Sequence, residues 1–495
     1  MRIIGRISLG MALLGVITLS ACRYLLPERF AFNAPLASMI FGTGGPPLTS
    51  EGRARLKGPP GWSVSPFAEI PNARLIRFTE AGDLLISAPR SGTLWRVTAD
   101  QDQDGRADEV TPLPLSLDRP HGLDLHGGFL YIGEGSRVVR VPFDLSTGAP
   151  TGEPEVIVDG LPNGGNHWTR TVAIGPDEKL YVAVGSSCNV CLEEDERRAA
   201  ILRYSLDGSD YELFATGLRN PVDFAWQPGT GALYTTDNGR DLLGNDFPPC
   251  ELNRVEQGGF YGWPYRNGHN VADPDFGGQR PDLESIATPP AHPFRAHNAP
   301  LGIGFADPTT APEAYRDAAF VALHGSWNRT EKDGYKVVSL HWLPDGTIEE
   351  RDFLTGFEQD DDVIGRPVDA AWGPDGALYV TDDYAGVVWR VAQGTSPLTS
   401  SVSRPASQTD ATAMPSATAE QIAEGAQLYQ THACAGCHEA GEALEGVVPH
   451  PLRALGERYT QANLATFFLA PTPPMPRFDL DVKQREALAA YLLGR

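Results

Sequence analysis

One short phrase recurs six times along the chain: GDLLISAPRSGTLWRV from Gly82, GFLYIGEGSRVVRV from Gly128, KLYVAVGSS from Lys179, GALYTTDNG from Gly231, AAFVALHGSW from Ala318 and GALYVTDDYAGVVWRV from Gly376. Each copy joins a small or polar turn to an alternating apolar strand and closes on glycine or acidic residues. One such strand cannot bury its own apolar side chains, so copies spaced mostly by about 50 residues must pack on one another. That spacing suits one four-stranded sheet per copy, and sheets repeated radially make propeller blades. The pattern predicts a six-bladed β-propeller over residues 55–394. The interval before Phe320 is longer and places long loops or an insertion near residues 245–315. The chain's 53 glycines and 42 prolines among 495 residues agree with turn-rich β structure.

A different pattern starts after the last copy. Residues 395–418, rich in serine, threonine and alanine, read as a flexible linker with a root-mean-square span of roughly 25–30 Å. Then THACAGCHEAGE sets Cys434, Cys437 and His438 in the order C-x-x-C-H. Two thiols one helical turn apart can add to the two vinyl groups of a haem, leaving the next imidazole beneath the iron. C-x-x-C also serves zinc sites and redox disulfides, but the adjoining histidine and the lack of a second cysteine pair disfavour zinc. Met475, the only methionine after the motif, is the candidate sixth ligand. Thr418 and Gln421 fit a capping box for a helix presenting Ile422, Gly425, Ala426 and Tyr429 on one face. Asp481 can cap a second helix with Leu488, Tyr491 and Leu492 on a face and Gly494 as its stop. Residues 419–495 resemble small c-type cytochromes, whose terminal helices cross. The expected fold class is therefore mainly β, a six-bladed β-propeller followed by a small all-α cytochrome c domain.

The other end suggests export. Arg2 and Arg6 precede an apolar run from Ile7 to Leu19, shorter than the ~20 residues of a membrane span. Leu19-Ser20-Ala21-Cys22 resembles a bacterial lipobox, so residues 1–22 are expected to be a lipoprotein signal that leaves Cys22 lipid-anchored in the periplasm. An ordinary signal peptide or an uncleaved anchor are the alternatives. Arg23, where aspartate would signal retention, points to the outer membrane. In an oxidising compartment Cys188 and Cys191 could form a short disulfide, leaving Cys250 as a buried thiol. The net charge of −23 argues against nucleic acid as a partner.

Four stretches narrow the chemistry: RPHGLDLHGGFLYI from Arg119, GGNHWTRTVAIGPDEKLYVAVGSS from Gly164, GLRNPVDFAW from Gly217 and TTDNGRDLLGNDFPPCELNRVEQGGFYGWPY from Thr235. In this order they resemble the pyrroloquinoline quinone (PQQ) dependent sugar dehydrogenases, the soluble aldose and sorbosone dehydrogenase family, over roughly residues 60–395. The resemblance implies a general base at His167, with Asn166 where the family often has the aspartate that orients it. It implies that Arg219 and Asn220 meet the quinone, that His121 faces the cofactor, and that Arg329 and Arg366 are further cations for its carboxylates. Val368 stands where the family often has a second arginine. Calcium is implied on the backbone carbonyls of Gly239 and Arg240. A second calcium loop is suggested by DQDQDGRADE, with Asp100, Asp102 and Asp104 before Gly105 as in an EF-hand; Thr111 rather than glutamate ends it, so a solvated acidic turn is an equal reading.

Together these features lead us to expect a periplasmic enzyme that oxidises an aldose or sugar aldehyde and passes electrons to its own haem. The final acceptor would be another periplasmic cytochrome or a terminal oxidase. The competing expectation is a haem-linked propeller that binds or hydrolyses a sugar or lactone without quinone chemistry.

Overall fold

The computed structural model describes residues 28–33, 45, 48–394, 418–439, 452, 455, 461–468, 475, 478 and 480–494. The expected signal segment and the linker as far as residue 417 lie outside the described residues. The chain divides into two compact units, one holding the described residues through 394 and the other those from 418 onward.

The first unit is the six-bladed propeller. Five blades are consecutive in sequence and open with the strands Ile76–Phe78, Leu123–His126, Val172–Ile174, Pro221–Trp226 and Pro300–Phe305. The sixth combines Pro367–Trp372, Leu378–Asp382 and Val387–Gln393 with the early strand Trp62–Glu69, which pairs antiparallel to Val387–Gln393. Residues more than 300 apart thereby close the ring, with Trp62–Glu69 as the outermost strand of the last blade. The first strand of each blade lies nearest the axis, where strands of neighbouring blades meet.

The six repeated phrases all map to second strands: Leu84–Ala88, Phe129–Gly133, Leu180–Val184, Leu233–Asp237, Ala319–Leu323 and Leu378–Asp382. Alternating burial was expected, yet five of the six are buried at every position. A second strand is covered on both faces by the adjoining blades, so it can carry apolar or small residues throughout. The expected insertion comprises a strand Gly259–Phe260 parallel to Glu212–Thr216, a ribbon Arg266–Asn267 with Val271–Ala272, and the short helix Pro281–Glu284.

At alternate junctions around the ring, neighbouring blades are tied at the axis by aspartates. Asp369 accepts from Ile76 N–H (2.8 Å), Asp124 from Ile174 N–H (2.6 Å) and Asp223 from Ile303 N–H (3.1 Å). Arg77 lies among them, 3.6 Å from Asp223 and 3.8 Å from Asp369. Its side chain is the counter-ion that lets carboxylates stand in the channel.

In the second unit the helix Ala419–Thr431 starts on the expected capping box, and Val482–Leu493 has an analogous box between Asp481 and Gln484. The helices cross at Gly425, where a Cβ would meet Tyr491 Cβ at 2.6 Å and press still closer on the Ala487 carbonyl. Tyr429 and Tyr491 pack beside the crossing, but Ile422, assigned to the same face, is 40% exposed. Among the described residues no helix is long and apolar enough to cross a membrane.

Candidate functional site

In an antiparallel blade the loop leading into the first strand and the loop leaving the second lie at the same end. Six blades gather these loops on one face of the propeller. The first set supplies Arg74, His121, His167, Arg219, Asn220 and Arg366, each shortly before an innermost strand. The second set supplies Ser186, the run from Asp237 to Asp241, His324 and Asp383.

His167 is half-buried, and its Nδ1 lies 2.9 Å from the Ser186 carbonyl oxygen and 3.0 Å from the Ser186 hydroxyl. That hydroxyl donates to the Cys188 carbonyl at 2.8 Å. A carbonyl only accepts, so Nδ1 holds the ring proton and Nε2 keeps a free lone pair. Burial, then the Arg219 charge, push the imidazole down to about 3, so it stays neutral through ordinary pH. One expectation needs correction. Asn166, expected to orient the base, is exposed and is joined to the neighbouring loop by its backbone N–H to the Ser187 carbonyl (2.8 Å). Ser186 orients the ring.

Gly185 makes the close approach possible, since a Cβ there would lie 2.6 Å from His167 Cβ and 2.7 Å from Asn220 Oδ1. Arg219 and Asn220 are set by one carboxylate: their backbone N–H groups donate to the two oxygens of Asp237, at 2.9 and 2.6 Å. The buried Arg219 guanidinium donates to the Asn189 carbonyl (2.8 Å), Asn189 Oδ1 (2.9 Å), the Asn238 carbonyl (2.9 Å) and Asp241 (3.3 Å).

Beyond this pair, His121 is buried against Trp168, and burial followed by the Arg74 charge hold it well below the usual histidine range. Arg366 donates to the carbonyls of His324 (3.1 Å) and Gly325 (3.0 Å). His324 and Arg74 share Asp383, each at 2.9 Å. Arg74, His324, Asp383 and Ser186 were missed from the sequence. Arg74 carried a usable signal, since it precedes its innermost strand much as Arg219 and Arg366 precede theirs.

Arg329 does not join this group: its guanidinium is held by the carbonyls of Asn245 and Ala296 and by Asp246. It ties loops together. Gly239 and Arg240 do lie on the site face, but the Arg240 side chain is turned to Asp273 (2.7 and 2.8 Å) and Asp275 (2.9 Å). Beside them Asp237, Asn238, Glu251, Trp263 and Asn267 line a cavity of about 20 Å³. Burial, and for Glu251 the Asp237 charge, raise both acids above the usual carboxylate range. In the acidic loop the grouping differs from the expected one. Asp100 and Asp102 converge with Asp108, while Asp104 N–H donates to both of them and its carboxylate caps Arg106 N–H.

The fit of the implied groups can be tested on these atoms. His121 Nε2, Asn220 Oδ1 and Arg74 Nε are buried with no hydrogen-bond partner among the described residues. Such atoms require a ligand or water. With Arg74 and Arg366 at hand, the face suits a polycarboxylate carrying carbonyl acceptors, as PQQ is. In the second unit Cys434, Cys437 and His438 occupy one helical turn and both thiols are free. Cys434 and Met475 belong to one apolar cluster with Tyr429, Leu464 and Leu488, a setting suited to a covalent haem.

Residues 56–255 and 281–394 match the TrAA12-like family model, whose break coincides with much of the insertion. The chain is a TrAA12-like protein. Residues 420–492 match the model for cytochrome C oxidase, cbb3-type, subunit III, which gives this TrAA12-like propeller a cytochrome c domain. A pyrroloquinoline quinone-dependent pyranose dehydrogenase of Coprinopsis cinerea is 26% identical over 352 residues, covering 56% of this chain and 47% of that protein. An uncharacterized protein of Borreliella burgdorferi is 36% identical over 220 residues, 43% of this chain and 57% of that one. The chain thus spans about half the length of these curated relatives. The same fold occurs in the holo PQQ domain of the Coprinopsis cinerea pyranose dehydrogenase, with a TM-score of 0.58 at 23% identity, covering 71% of this chain and 98% of that one. It also occurs in a Trichoderma reesei Family AA12 structure with calcium, with a TM-score of 0.58 at 21% identity and coverage of 68% and 97%.

Proposed function

We propose that this TrAA12-like protein oxidises a sugar hydroxyl or hydrated sugar aldehyde with PQQ on the loop face of its propeller and passes the electrons to haem at Cys434 and Cys437. The observation that carries this reading is the His167 tautomer: a neutral imidazole with Nε2 free, beside Asn220 and Arg219. Bound PQQ supplies a two-electron acceptor for hydride. His167 Nε2 takes the hydroxyl proton of the substrate while Ser186 keeps Nδ1–H in place. Arg219 holds a fixed positive charge beside the base, favouring negative charge that develops there. His121, Asn220, Arg74 and Arg366 bind and orient the cofactor; calcium on the Gly239 and Arg240 carbonyls would neutralise its acid groups.

His438 and Met475 would ligate the haem iron. The Coprinopsis cinerea relative, by its name a PQQ-dependent pyranose dehydrogenase, supports the substrate class. The Cys22 lipobox supports a periplasmic, membrane-anchored location with a periplasmic acceptor. The test is the visible spectrum of purified haem-loaded protein before and after PQQ, calcium and a panel of aldoses. Reduction of the haem bands only when PQQ and a sugar are both present is expected; bands unchanged by every sugar and aldehyde would refute the proposal.

A further inference from the structure

The four-residue ring closed by the Cys188–Cys191 disulfide has no assigned task, yet it holds Arg219 directly and reaches His167 through Ser186, the two groups that the proposed function makes reactive. Asn189, inside the ring, receives Arg219 twice, through its carbonyl at 2.8 Å and its Oδ1 at 2.9 Å. The same Oδ1 accepts from Asp241 N–H (2.8 Å), and Asn189 Nδ2 donates to the Asp241 carbonyl (3.2 Å). At the ring's first residue the Cys188 carbonyl accepts from the Ser186 hydroxyl, which also lies 3.0 Å from His167 Nδ1. Past the second cysteine, Glu193 accepts from Ser187 N–H and its hydroxyl, at 2.6 and 2.7 Å. A two-residue span between bonded cysteines has little conformational freedom, so these acceptors are fixed before any ligand arrives.

We propose that the Cys188–Cys191 ring is the positioning element of the site, with Asn189 as the positioning residue for Arg219, and that reducing its disulfide weakens quinone binding. The inference rests on the reading of Arg219 and His167 as the reacting pair. A dithiol opens the ring by ordinary exchange. Its thiolate attacks one ring sulfur to give a mixed disulfide, and its second thiol displaces the remaining cysteine. Two electrons and two protons pass to Cys188 and Cys191, and the reagent leaves as its cyclic disulfide. The freed loop gains backbone entropy, and Arg219 loses two of its buried acceptors.

The test uses the full haem-loaded protein without PQQ. One readout is modification of Arg219 by phenylglyoxal, mapped by mass spectrometry; the other is PQQ affinity from quenching of tryptophan fluorescence. Dithiothreitol, the Cys188→Ser/Cys191→Ser pair and Asn189→Ala should each raise Arg219 modification and weaken PQQ binding about tenfold, the equivalent of one charge-assisted hydrogen bond. Asn189→Asp keeps the side-chain acceptor and should restore both readouts, which separates positioning from misfolding. Unchanged modification of Arg219 after opening the ring overturns the proposal, as does raised modification with PQQ affinity intact. If the wild type binds no PQQ while opening the ring still exposes Arg219, the quinone reading fails and the hold on Arg219 stands.

Discussion

Replacing Gly185 with alanine probes the site through a single methyl group. The added carbon would lie 2.6 Å from His167 Cβ and 2.7 Å from Asn220 Oδ1, against the ~3.4 Å at which such atoms settle, so the neighbours must yield by about 0.8 Å. His167 cannot back away freely, because Nδ1 is bound to the Ser186 carbonyl and the ring is half-buried. Overpacking of this kind costs ~1–3 kcal/mol of stability, modest for a propeller of this size. Catalysis is more sensitive. A reacting group displaced by about 1 Å can lose ~100-fold in rate. The expected result for Gly185→Ala is a folded, haem-loaded protein, with kcat/KM for sugar in a one-electron dye assay reduced about 30- to 100-fold. Wild-type kcat/KM in a variant that melts within a few degrees of the parent would show that His167 and Asn220 are not the pair that meets substrate and cofactor.

Burial sets the pH behaviour of the base. The folded-state value of His167 is pushed to about 3, below the ~6.5 of an unfolded chain, so the unfolded state binds more protons between those limits. Its contribution to stability is complete above about pH 6.5 and is lost as pH falls toward 3. His167→Gln should therefore flatten the loss of stability over that interval in urea titrations, and kcat/KM should show no inflection from this base near pH 6–7. At the axis, Arg77→Met removes the partner of the buried Asp223 and Asp369 and should cost ~3–5 kcal/mol in denaturant melts, with less loss if Asp223 is changed to asparagine as well. Equal losses in the single and double variants would show that the charges are not coupled.

The repeated phrase located all six blades because it marks second strands, the elements covered on both faces and hence least free to vary in character. The capping box at Thr418 and the cap at Asp481 were readable for a related reason: a helix start is decided by groups three residues apart. Ile422 shows the limit of such reading, since helical spacing names a face without saying what covers it. Arg329 and Asn166 were misplaced because a guanidinium or amide of suitable type in a suitable motif has many possible partners, and only the packed loops decide among them. The acidic loop is similar: Asp104 N–H donates to Asp100 and Arg106 N–H to Asp104, and that turn leaves the exposed Asp108 beside Asp100 and Asp102.

Residue order alone determined that this chain repeats a sheet six times, that Cys434, Cys437 and His438 share a turn, and that the stretch between has no packing pattern. Those are short-range facts, set by period, spacing and composition. Tertiary structure decided that Trp62–Glu69 completes the last blade, that Ser186 rather than Asn166 fixes the base, and that a disulfide ring holds the arginine. The first closes the ring, the second joins two loops of one blade and the third joins loops of neighbouring blades. A contact between loops from different blades leaves no periodic trace in the residues that make it.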